Sequence, residues 1–287
     1  MKRIVFAAGA LVLLLFMLIG CDLLGEPTET TTAATTAPVT TTAPVTTATP
    51  IEEFEFSESP SGELLYVKRY LGSSPEVVIP AEVGGKPVVS ISLGAFFETA
   101  IEEVWIPDSV VSILPAFGGT PLREIHFGSG LRCIYGNAFK NCTALESVCL
   151  PEGFNDLGPC AFEGCTSLRS VTFPSTLTSW GAESFLHCTA LEEVVFSDGL
   201  ERIGASGMFS FCDSLKKLTV PASVKTVWTG TMGLSQITEV TFLGDAPVFG
   251  ERALYTGRTN VTVYYPRAAK GWDELDLPDV TLVPYER

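Results

Sequence analysis

The chain has 287 residues, 46% of them apolar and 10% aromatic, with 18 basic against 33 acidic side chains and a formal charge of −15. That balance repels phosphate backbones and anionic lipid headgroups, so it argues against nucleic acid as a partner. The 237 residues after Pro50 are enough to bury a long continuous core.

The N-terminus reads as an address. Lys2 and Arg3 precede an uncharged apolar run over 4–19 that is short for a membrane span and has the charge order of a secretory signal. The run ends Leu18-Ile19-Gly20-Cys21, which resembles a bacterial lipobox: residues 1–20 are expected to be removed and the Cys21 thiol to be acylated. The membrane would then be reached through acyl chains, each buried CH₂ contributing about 0.8 kcal/mol.

Residues 21–50 follow as the lipidated Cys and a tether. Twelve threonines lie between 28 and 49, with Pro27, Pro38, Pro44 and Pro50 among them, too little apolar surface to order a segment. Residues 51–100 are expected to form an N-terminal cap and a first incomplete repeat, since Val77-Val78-Ile79-Pro80 is a strand phrase without the turn that should precede it.

Between 101 and 243 one phrase recurs: IEEVWIP, LREIHFG, LESVCLP, LRSVTFP, LEEVVFS, LKKLTVP and ITEVTFL. Its first residues are spaced 21, 23, 23, 23, 24 and 22 apart. A period near 23 that carries its apolar positions with it marks a solenoid. In the copy beginning at Leu145, Val148 and Leu150 share the inner face of a short strand, Cys149 faces out, and Pro151 stops the ladder. Leu157, Ala161 and Phe162 supply the rest of the core, and Phe139, Phe162 and Phe185 should stack as an inward ladder. The expected fold is one short strand per repeat in a continuous curved sheet, with turns and short 3-10 or helical segments on the other face. Residues 244–287 keep strand-then-Pro phrases at 261–266 and 280–284. The segment between them, carrying Trp272, Leu275 and Leu277, should lie across the last coil.

The phrases GKPVVSISLGAFFE, IPDSVVSI, NAFKNCTALESVCLP and CAFEGCTSLRSVTFP are similar to the BspA-like leucine-rich repeats of bacterial surface proteins, from about Phe54 to the C-terminus. The resemblance implies a right-handed curved solenoid working in cell-surface interaction, with family members implicated in adhesion to host proteins and other microbes. Copies 101–122 and 215–237 depart from it by shortness or by lacking the turn Cys.

Of eight cysteines, Cys142, Cys165, Cys188 and Cys212 recur at intervals of 23, 23 and 24 and should form a ladder along the stack. Coil spacing of about 4.8 Å would permit disulfides between rungs; free thiols acting as small buried fillers are the favoured alternative. No C-x-x-C, spaced Asp loop, G-x-S-x-G, H-E-x-x-H or Walker loop is present, so no metal site, cofactor or catalytic residue is assigned and an enzyme is not expected.

The exposed strand positions are therefore where binding is sought. Trp105 and His126 fall in one outward column with Cys149, and Glu103 and Glu124 in the column beside it. An outward Trp is either a binding anchor or packed beneath residues 54–71, and the sequence leaves both open. The expected role is a lipid-anchored, monomeric cell-surface adhesin or receptor for a host or microbial protein. A glycan-binding module using Trp105, Trp180, Trp228 or Trp272, and a structural spacer of the envelope, are the alternatives.

Overall fold

The computed structural model describes residues 48–257 and 260–286. The segment read as a signal peptide, Cys21 and all but the end of the segment read as a tether lie outside the described residues. Among the described residues no helix is long and apolar enough to cross a membrane.

The chain winds into a β-solenoid of about ten turns. Each repeat phrase forms a strand, from Glu76–Val78 through Glu103–Trp105, Glu124–His126 and Ser147–Cys149 to Val280–Tyr285, and these pair in parallel coil to coil in three short sheets, the ladder breaking after Glu124–His126 and after Glu193–Phe196. Alternating side chains bury and expose by turns: Glu193–Phe196 and Lys217–Val220 each run exposed, buried, exposed, buried. A pleated strand with one face on a core requires that alternation.

A feature absent from the sequence reading is a second parallel ladder. Two-residue strands such as Ser112–Ile113, Cys133–Ile134, Asp156–Leu157 and Ser179–Trp180 pair coil to coil on another side of the solenoid. Each coil thus contributes two strands rather than one. Two residues are too few to show alternation, which is why the pattern hid them. The helical segments expected on the other face are also missing: among the described residues the one 3-10 helix is Ile51–Glu53, ahead of the first coil.

The third side is made of turns, and these too are held coil to coil. Phe117 N–H donates to Ala138 O, Phe139 to Ala161 O, and Phe162 to Ser184 O, at 2.8–2.9 Å. Most turns place two residues in the left-handed region, as at Asn137 and Asn141, Cys160 and Gly164, or Glu183 and His187. That conformation costs an L-residue roughly 1–2 kcal/mol. Rung-to-rung bonds such as His187 N–H to Ser210 O help to offset it.

Inside, the aromatic ladder is longer than expected. Phe139–Phe162 and Phe162–Phe185 stack at 5.0 and 5.3 Å, and the column continues through Phe117, Phe96 and Tyr70 at one end and Phe209 at the other. Beside it run the four thiols, all free and buried. Each thiol donates to the carbonyl of the previous coil's Phe, from Cys142 to Phe117 O at 3.2 Å through Cys212 to Phe185 O at 3.2 Å. Thr120 and Ser235 occupy the same position in the two deviant copies, where their hydroxyls bond the carbonyl three residues back within their own turn. The position thus requires a small donor rather than a cysteine.

Both ends are closed. An antiparallel hairpin, Phe54–Glu58 with Leu65–Tyr70, adds to the two-residue-strand side of the first coils. Thr49, at the end of the segment read as tether, is buried, and its hydroxyl accepts from Val78 N–H at 2.8 Å. At the other end Trp272 is buried, donates Nε1–H to Gly244 O at 3.1 Å and stacks on Tyr265, with Leu275 and Leu277 packed nearby.

Candidate interaction surface

Parallel register decides which outward side chains meet. Val78, Trp105 and His126 occupy one column, and Glu76, Glu103 and Glu124 the next, because Glu76 pairs Glu103 and Glu103 pairs Glu124. Val104 and Ile125 between them point into the core. The alternation read from the sequence therefore brings Trp105, His126, Glu103 and Glu124 into one patch. Cys149 lies one coil further along, on an exposed position of a strand that continues the stack without a ladder bond to Glu124–His126.

Trp105 and His126 lie face to face, ring centroids 4.8 Å apart and planes 5° from parallel. His126 Nε2 is 2.8 Å from Glu103 Oε1 and 3.4 Å from Glu124 Oε1. The strands of residues 54–71 join the other sheet, whereas Trp105 stands on the main one, half-buried against its stacking partner.

Charge along the surface is ordered in a way the sequence reading did not use. The position after each leading apolar residue runs Glu102, Arg123, Glu146, Arg169, Glu192, Lys216, so opposite charges sit one coil apart. Arg123 meets Glu146 at 3.0 Å and Arg169 meets Glu192 at 3.8 Å. These pairs are well exposed and each contributes about 0–1 kcal/mol. In the Glu103 column, Lys217 meets Glu239 at 2.8 Å near the C-terminal end. The N-terminal end has three stacked carboxylates instead.

The remaining tryptophans separate. Trp272 is inside the C-terminal cap and unavailable to a ligand. Trp180 packs on Phe173 and Phe196 beside a shallow groove lined by Tyr135, Asp156 and Ser179, and its Nε1–H has no hydrogen-bond partner among the described residues. Trp228 is 52% exposed, immediately after the two-residue strand Thr226–Val227. The groove exists because Gly136, Gly158 and Gly181 stack there; a Cβ on Gly181 would stand 2.2 Å from Gly158 C.

A solenoid whose stacked coils present parallel strands along one open side is the architecture of a repeat interaction module. The family model for the BspA type leucine rich repeat region matches this chain in six copies over residues 89–206 and 134–262. The chain belongs to that family. It is similar to a leucine rich repeat protein of T. pallidum, with 27% identity and a TM-score of 0.54, over 71% of this chain and 86% of that one. A leucine-rich repeat protein of Bacteroides ovatus shares the fold, with 21% identity and a TM-score of 0.54 over 82% and 76% of the two chains. A search of curated proteins finds no match.

Proposed function

We infer that this protein is exported, held to the membrane by acyl chains on Cys21, and displayed at the cell surface as an adhesin or receptor for a host or microbial protein. The observation that carries the docking part is the stacked Trp105–His126 pair beside Glu103 and Glu124 on the open sheet. An aromatic anchor ringed by polar groups is where association energy concentrates. Export is supported by the Lys2-Arg3 apolar leader and the lipobox-like Cys21. The tether would hold the sheet clear of the membrane.

Replacing Trp105 and His126 together by Ala should weaken a captured protein partner by at least about 2 kcal/mol, whereas Thr219→Ala with Thr241→Ala should leave it within about 0.5 kcal/mol. Biolayer interferometry against an array of host matrix and microbial surface proteins measures this. The opposite ranking places docking elsewhere. Glycan hits without protein hits would move the function to the exposed Trp228.

The anchor has its own test. Cys21→Ala should abolish incorporation of labelled fatty acid and leave the protein unprocessed or released to the medium. Cys21→Ala protein that is cleaved before position 21 and still membrane-bound would end the lipoprotein reading.

A further inference from the structure

We propose that His126, Glu103 and Glu124 form a binding site for a divalent transition metal ion of the Zn²⁺ class, open on its solvent side. One ligand atom from each of the three residues lies within 4.8 Å of the others. The separations from Nε2, 2.8 and 3.4 Å, approach the donor–donor edges that bonds of about 2.0–2.2 Å to one ion would set.

Two further observations point to a cation and to its type. Glu76, Glu103 and Glu124 stand directly opposite one another on three neighbouring strands. Like charges in that relation destabilise a sheet. At the other end of the column Lys217 relieves the strain by pairing with Glu239; here the ion pairs of Glu103 and Glu124 among the described residues go to His126 alone. An imidazole carries at most one positive charge, against two carboxylates in contact with it. A divalent ion neutralises both and leaves the imidazole as a neutral ligand.

The imidazole decides the class. Ca²⁺ and Mg²⁺ select oxygen donors, whereas a mixed nitrogen and carboxylate set suits Zn²⁺, Ni²⁺ or Cu²⁺. Trp105, parallel to the ring at 4.8 Å, holds its plane, a positioning role that elsewhere falls to outer-shell partners of a ligating His. Three protein ligands leave at least one coordination position, which faces out of the sheet and would take water or a donor from another molecule. Cys149 lies outside the ligand set, and its thiol is held above its ordinary value by desolvation, which disfavours the ligating thiolate.

The inference does not rest on the docking reading, because metal binding is measured with no partner present. Isothermal titration of the purified full chain with ZnCl₂, in a non-chelating buffer after EDTA treatment and dialysis, should show one ion bound per chain. His126→Gln should weaken that event at least about tenfold, Glu103→Gln and Glu124→Gln should each weaken it, and Cys149→Ala should leave it unchanged. Ni²⁺ or Cu²⁺ should quench tryptophan emission, and Trp105→Phe should remove most of that quenching while Zn²⁺ still binds. A circular dichroism spectrum of each variant checks the fold. Absence of saturable Zn²⁺ binding, equal binding by the folded His126→Gln variant, or stoichiometric Ca²⁺ binding of equal strength would each overturn the proposal. Failure here leaves the partner array in EDTA to judge the docking surface by itself.

Discussion

Phe162→Ala should cost about 3–5 kcal/mol, the usual range for emptying a fully buried aromatic position. Its ring is stacked on both sides, on Phe139 at 5.0 Å and Phe185 at 5.3 Å, in a column that includes every coil from Phe96 to Phe209. The cavity would open in mid-stack, where neither end of the array can relax to fill it. Thr172→Ala, on the outward face of the Ser170–Phe173 strand, removes no core contact and should stay within about 0.5 kcal/mol. Urea melts of the two variants give the comparison. Equal losses would reverse the assignment of faces, and a loss confined to part of the array, seen as two transitions, would show that the coils do not unfold as one unit.

Alkaline pH should unfold this protein through its thiol ladder. Burial pushes Cys142 up to about 11 and Cys212 up to about 12, and raises Cys165 and Cys188 well beyond the ordinary thiol value, with charge repulsion between neighbouring thiols adding to both. An unfolded thiol ionises near about 8.5. Because the folded values are raised, the stabilising contribution is complete below about pH 8.5 and is lost as pH climbs from there toward the folded values. At pH 10, about 1.5 units above the unfolded value and below the folded ones, each of the four thiols should withdraw about 2 kcal/mol. Thermal melts between pH 7 and 10 under reducing conditions should therefore fall steeply. A variant with Cys142, Cys165, Cys188 and Cys212 all replaced by Ser, the donor already used at Ser235, should show a much flatter decline. A slope unchanged by that replacement would assign the alkaline loss to other groups, Tyr70 first, since burial and then its bond to Glu53 hold it up to about 12.

The sequence disclosed the elements whose signal repeats. Seven copies of the same phrase identify the solenoid, the inward positions such as Val148 and Leu150, and the Phe ladder. Register then follows, because copies at the same phase in successive coils must pair, and so Trp105 meets His126. Three things stayed hidden. The second ladder is built from pairs of residues such as Asp156–Leu157, too short to carry a period. The donor position was read as cysteine because four copies have it, whereas Thr120 and Ser235 show that the backbone asks for any small donor. The cluster of His126 with Glu103 and Glu124, proposed above to bind a metal ion, went unread as a cluster because His126 and Glu124 lie 23 and 21 positions from Glu103, and no local spacing motif describes an arrangement assembled across coils. Period-length offsets of acidic and histidine residues on outward positions are the signal that could have found it.

A stack of identical parallel coils is half of a fibre. Every coil offers its upper and lower backbone edge to a copy of itself, the relation that lets cross-β assemblies grow without limit. In this chain growth is stopped at each end by a piece that does not repeat. At the first coil the Phe54–Glu58 hairpin reverses strand direction, and Thr49 occupies the amide of Val78. At the last, Pro284 interrupts the free edge of Val280–Tyr285, where it has no N–H to offer, while Arg267 pairs with Glu286 across the rim. Such closure lets a repeat gene lengthen or shorten its middle by whole coils while the product remains a particle of finite size, so array length can vary without the risk of polymerisation.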